Sequence, residues 1–175
     1  MIVCWRESNP AFALAGAFRL FNYLIMSMLA PLLDEYELSH RNPINVAIHW
    51  VAEPLAIFAL MALADSVRMP LGSLLWPFLA AMMIYFGWLS LRVAVALLPI
   101  AAVFVVLIGF LQKALEVDTW IWAVPLFVVC WVSLLLGHKL FEKRVPSVFQ
   151  NPNLIFVGPA WLMRIIFRRL GLRDP

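Results

Sequence analysis

Residues Val93 to Leu111 read VAVALLPIAAVFVVLIGFL, nineteen positions with no charged side chain. A helix that crosses the hydrocarbon core of a bilayer needs about 20 such residues. Three other stretches have the same character: Ala47 to Ala64, Ser73 to Leu91 and Trp120 to Gly137. Together they predict an all-α fold, a helical integral membrane bundle of about four transmembrane helices. Between the spans lie Asp65 to Pro70, then Arg92, then Lys113 to Asp118. Pro54, Pro77, Pro99 and Pro125 fall inside the spans, where neighbouring helices can satisfy the carbonyls that a proline frees.

Working outward, the whole chain agrees. It has 175 residues, 65% hydrophobic and 13% charged, with mean hydropathy +0.93. Soluble domains average roughly 45–50% apolar and about 25% charged. The length suits one membrane domain over residues 1–175. It divides into an apolar arm (1–33), a central region (34–165) and a basic tail (166–175). Ala11 to Leu33 is apolar but carries Arg19 and Asn22, so it reads as an interfacial helix, a re-entrant segment or a fifth span. The same two polar residues, with no clean cleavage site after them, argue against a cleaved leader. Pro159 to Leu172 sets Arg164, Arg168 and Arg169 among large apolar residues, the pattern of an amphipathic helix lying on a membrane.

The net charge is +3. In this setting basic residues hold helix ends against anionic headgroups, and no nucleic-acid partner is expected. With four spans, eleven Lys and Arg residues fall on one side and only Arg68 and Lys113 on the other. The positive-inside rule then puts both termini in the cytoplasm. That means the inner membrane in a bacterium or the endoplasmic reticulum membrane in a eukaryote. Cys4 and Cys130 form neither a disulfide framework nor a metal-type spacing. Spans two and three hold no charged residue, which is thin for an ion or proton path.

The chain has three histidines, His40, His49 and His138. His40 precedes the first span, His49 lies in its first turns, and His138 ends the fourth. Spans one and four run in opposite directions, so this topology brings all three to the cytoplasmic face. Imidazoles with a few carboxylates suit Fe, Zn, Cu or Ni, and two or three histidines with open positions suit non-haem Fe(II). Interfacial histidines satisfied by water and backbone are the competing reading. His49 and Glu53 are four apart, as are His138 and Glu142, so each pair shares a helix face. A carboxylate near the start of a span, such as Glu53, is expensive unless paired, functional or able to reach the headgroups. Pro43 predicts a turn and a helix start at Asn42 to Asn45, with Asn42 or Asn45 as the cap. That turn can fold His40 back over His49.

Two motifs carry a resemblance. One is Tyr36-Glu-Leu-Ser-His40-Arg-Asn42-Pro-Ile-Asn45-Val-Ala-Ile-His49. The other is Gly137-His138-Lys-Leu-Phe141-Glu142-Lys143-Arg-Val-Pro146, followed by Asn153 to Trp161 with Gly158-Pro159. Over residues 34 to 165 the chain resembles the yeast-type 2-hydroxy fatty acid dioxygenase family. It departs from that pattern at Ala52-Glu53-Pro54, where the family has Gly, a small residue and Pro, so Glu53 is not carried over.

The resemblance implies an Fe(II)-dependent oxygenase that uses O2 to shorten a 2-hydroxy fatty acid by one carbon. His40, His49 and His138 would be the metal ligands. On that reading Glu142 is a fourth ligand or a group fixing His138, with an ion pair to Lys139 or Lys143 as the plainer alternative. Asn42 and Asn45 are hydrogen bonders behind the ligands or helix caps. Tyr36 donates to oxygen or substrate, or simply packs. Arg41, Lys143 or Arg144 hold the substrate carboxylate at the interface while the acyl chain lies between the spans among membrane lipid. The alternative from another class is a non-catalytic membrane scaffold or lipid-binding protein with metal-free histidines.

Overall fold

The computed structural model describes residues 29–70, 72–143, 146, 149 and 151–175, without the side chains of 152 and 153. Helix α1 occupies residues 29–38 of this range. The reading of Ala11 to Leu33 as a span or an interfacial helix falls mostly outside the described residues.

Helix α2 spans Pro43–Ser66. Asn42 caps it, its Oδ1 accepting the backbone N–H of Ile44 at 2.9 Å. Pro43 stands at the start of the helix, where its missing N–H costs nothing. Beyond α2 a two-residue hairpin pairs β1 (Arg68–Met69) with β2 (Gly72–Ser73). Helix α3 follows at Leu75–Leu89 and α4 at Leu91–Leu115. The break between them is Ser90, the N-cap of α4: it is extended, and its Oγ accepts from Val93 N at 3.4 Å. The sequence pointed to Arg92 for this break. The hydroxyl decides it, because a serine can satisfy the orphan amides that begin α4. Helix α5 spans Thr119–Gly137 and runs on as one π-helical turn, His138–Glu142. A 3-10 segment, Pro152–Phe156, leads into α6, Gly158–Arg169.

Among the described residues, three helices are long and apolar enough to cross a membrane: Pro43–Ser66, Leu91–Leu115 and Thr119–Glu142. The remaining expected span, Ser73 to Leu91, is α3, apolar but only 15 residues, about 22 Å at a rise of about 1.5 Å per residue. Helices α4 and α5 turn most of their apolar surface outward. Val106 and Phe110 of α4 and Val129 of α5 are all more than 60% exposed, an arrangement suited to lipid as solvent. Helix α2 is the central one and packs most extensively against α5.

The basic C-terminal helix packs its first half into the protein and leaves its last turn exposed. Residues Gly158 to Arg164 of α6 are all buried. Trp161, Leu162 and Met163 join a core with Leu29, Leu33 and Tyr36 of α1 and Phe86, Leu89, Val93 and Ala94 of α3 and α4. Small residues at its first turn allow this approach. Arg164 tolerates burial because Asp34, Glu37 and Asp174 surround it at 2.7, 3.4 and 2.8 Å.

Candidate metal centre

The packing of α2 against α5 carries the site. On α2, His49, Glu53, Ala56, Ile57 and Leu60 share one face; on α5, Phe127, Trp131, Leu134, Leu135 and His138 repeat the same spacing in the opposite direction. All ten line one cavity of ≈ 320 Å³. Close approach at the histidine end depends on Gly137. A Cβ there would meet Asn45 Oδ1 at 2.5 Å and Ile48 Cδ1 at 3.3 Å.

The turn between α1 and α2 brings in His40. Its Nε2 lies 3.1 Å from His49 Nε2, which lies 3.3 Å from His138 Nε2. All three histidines are buried, and one ligand atom from each falls within 4.8 Å of the others.

The hydrogen bonds fix two of the tautomers. His40 Nδ1 donates to the Tyr36 carbonyl at 2.6 Å. His49 Nδ1 donates to Glu53 Oε2 at 3.1 Å. Each ring therefore carries its hydrogen on Nδ1 and a lone pair on Nε2. Two lone pairs facing each other at 3.1 Å repel unless a cation lies between them. Imidazole–metal bonds of about 2.0–2.1 Å, as for zinc, separate ligands at 90–109° by about 2.8–3.4 Å. Both observed spacings fit. Burial, and next the neighbouring His49, push His40 down to about 2, so it stays neutral and able to coordinate. His138 Nδ1 is buried without a hydrogen-bond partner among the described residues.

Aromatic rings hold His40 in place. Tyr36 stacks on it at 4.0 Å with 12° between planes. Trp161 lies against it at 4.8 Å. Burial, then the Glu53 carboxylate, hold the Tyr36 phenol well above its usual range, so it keeps its hydrogen. Its hydroxyl is 3.4 Å from His49 Nδ1.

Glu142 works from behind the turn. Its Oε1 accepts from Arg41 N at 2.9 Å, Asn42 N at 2.8 Å and Asn45 Nδ2 at 3.2 Å. Arg41 and Lys143 are exposed and do not line the cavity; Arg144 lies outside the described residues. Sequence reasoning did not single out Ser39, Trp161 or Gly158 as site residues. Ser39 Oγ donates to the Tyr36 carbonyl at 3.1 Å. Gly158 makes room for the Glu53 carboxylate, which a Cβ there would overlap. The Gly158-Pro159 pair ahead of Trp161 was the available signal. Nothing in a linear pattern says that it meets Glu53.

The cavity is polar at one end only. Tyr36, Ser39, His40, His49, Glu53 and His138 gather there, and the remaining walls are apolar. Such a space takes an amphiphile with its polar end at the imidazoles.

Two comparisons with known proteins bear on this site. A family model described as "2-hydroxy-palmitic acid dioxygenase Mpo1-like" matches residues 26–170. The 2-hydroxy-palmitic acid dioxygenase MPO1 of Saccharomyces cerevisiae is 28% identical over 144 residues, covering 79% of each chain. No solved structure matches the chain.

Proposed function

The chain belongs to the Mpo1-like family, and from that premise we propose that it is a membrane-embedded, Fe(II)-dependent dioxygenase that shortens a 2-hydroxy fatty acid by one carbon. One observation carries the reading. A single cavity of ≈ 320 Å³ has three converging histidines at one end and apolar walls along the rest. The yeast relative, named for 2-hydroxy-palmitic acid, supplies the substrate class that such a cavity suits.

His40, His49 and His138 hold the ion through Nε2, and three imidazoles leave coordination positions free for other ligands. When bound, iron supplies the redox chemistry toward O2. The rest falls to the protein. The apolar faces of α2 and α5 bind the acyl chain and exclude water. Tyr36, which keeps its hydrogen, donates to the substrate's carboxylate or 2-hydroxyl. Asn42 and Asn45, with Glu142 behind them, fix the His40 turn. Arg41, Lys143 and Arg144 serve the carboxylate as it arrives at the interface, as cations suited to carboxylate recognition. The charge distribution supports both termini in the cytoplasm.

The test is metal content and activity on detergent-purified protein reconstituted anaerobically with Fe(II). Near-stoichiometric iron, lost in His40→Ala, His49→Ala and His138→Ala, together with O2-dependent conversion of 2-hydroxypalmitate to the acid one carbon shorter, is the expected result. Folded protein that takes up no metal, or retains it in all three variants, overturns the reading and leaves a non-catalytic lipid-binding protein.

A further inference from the structure

Glu53 is a carboxylate on a helix with the length and composition to cross a membrane, and it is only 8% exposed. Burying a charge is costly unless something compensates it. Its partner is His49 Nδ1 at 3.1 Å. The two nitrogens of an imidazole lie on different flanks of the ring. His40 and His138 face the Nε2 flank of His49, while Glu53 sits on the other flank, behind the ring. It is therefore not one of the converging ligands.

Its seat is shaped for it. At Gly158, the first residue of α6, a Cβ would come within 2.5 Å of Glu53 Cδ and 2.8 Å of Oε2, besides overlapping Oε1. The position is also where this chain departs from the resembling family's pattern, so the motif does not account for it.

A competitor stands beside it. The Tyr36 hydroxyl is 3.4 Å from the same His49 Nδ1. With Glu53 present, Nδ1 donates to the carboxylate and Nε2 keeps its lone pair. Without it, the phenol donates to Nδ1, the ring hydrogen moves to Nε2, and that nitrogen can no longer coordinate.

We propose that Glu53 is a positioning residue for the histidine site: it fixes the His49 tautomer that can bind a metal ion and lends that imidazole negative charge. The proposal rests on the reading of the site as a metal centre. A carboxylate behind a ligating histidine raises its basicity, and losing such a partner typically costs 10–100-fold in metal affinity. The added negative charge also favours the higher oxidation state of a bound ion.

The experiment titrates Co(II) into the full-length protein in detergent, following its visible bands, and measures the Fe(III)/Fe(II) midpoint of the iron-loaded protein. Glu53→Gln is expected to weaken Co(II) binding about 10–100-fold and to raise the midpoint. Glu53→Leu weakens binding at least as much, and adding Tyr36→Phe restores part of it by removing the competing donor. Gly158→Ala, which displaces the carboxylate without deleting it, shifts affinity in the same direction in the wild type and adds nothing in Glu53→Leu. This second variant decides the matter if Glu53→Gln does not fold. A purely structural Glu53 lowers the melting temperature but leaves the affinity, the bands and the midpoint of the folded protein unchanged, and that result overturns the proposal. If the wild type takes up no Co(II), the metal reading itself fails. If Co(II) is lost in His49→Ala but held within twofold in Glu53→Gln, only the role of Glu53 fails.

Discussion

Glu142 Oε1 accepts the backbone N–H of Asn42 at 2.8 Å, across 100 residues of sequence. The end of α5 thereby grips the turn that carries His40, and the same oxygen takes Arg41 N and Asn45 Nδ2. Hydrogen bonds to a charged acceptor are each worth roughly 1.5–3 kcal/mol, and amides left unpaired lose their desolvation cost as well. Glu142→Ala is expected to lower stability by about 2–3 kcal/mol, and Glu142→Gln, which keeps an acceptor, by about 1 kcal/mol. Denaturant unfolding in mild detergent measures both. Equal stability of the Ala variant and the wild type would remove this role.

Gly137 tests the helix contact next to His138. A methyl group there meets Asn45 Oδ1 at 2.5 Å, and Asn45 is fully buried, so neither side can yield without moving α5 from α2. Overpacking of this kind typically costs about 1–3 kcal/mol. Gly137→Ala should lower the melting temperature and weaken metal uptake together. Gly109→Ala, with nothing within 4 Å of the added carbon, is the control and should do neither.

The bundle was legible because apolar runs of span length leave few alternatives. The meeting of His40 and His49 was legible because Pro43 forces a turn between them. What a linear pattern hid was depth. Trp161 and Arg164 occur in a basic, amphipathic segment that reads as interfacial, yet Trp161 is 1% exposed. Its burial depends on α1 and on Asp174 neutralising Arg164, partners set by the three-dimensional packing. Glu142 looked like a companion for His138, four residues away. What the spacing did not show is that its Oε1 also takes the amides of Arg41 and Asn42, residues about 100 positions away in the sequence.

Acid should loosen the C-terminal clasp. The Arg168 guanidinium first, then Arg164, hold the Asp174 carboxyl below its usual range. A depressed carboxyl contributes stability that is complete above the ordinary carboxylate pKa of about 4 and is lost as pH falls through its lower folded value. Asp174 is 41% exposed at its side chain, so solvent screening keeps the effect under roughly 1 kcal/mol. Melting temperatures of wild type and Asp174→Asn should differ at pH 7 and draw together as pH falls below about 4. A gap that persists unchanged at low pH would mean that the charge is not what matters.

The acyl-chain reading makes a demand on the cavity walls. Ile57, Phe78, Met82 and Pro159 line both the main cavity and a second, wholly apolar one of ≈ 80 Å³. Thinning that shared wall with Met82→Ala should join the two spaces and favour longer 2-hydroxy acids. Filling the main cavity with Ile57→Trp should favour shorter ones. Each methylene kept from an apolar wall forfeits about 0.8 kcal/mol, about fourfold in affinity. A chain-length series assayed by kcat/KM should therefore tilt in opposite directions for the two variants, by roughly fifteenfold over two methylenes. Parallel loss at every chain length would mean that the substrate tail lies elsewhere, between the helices and the lipid, and that the cavity holds only the reacting end.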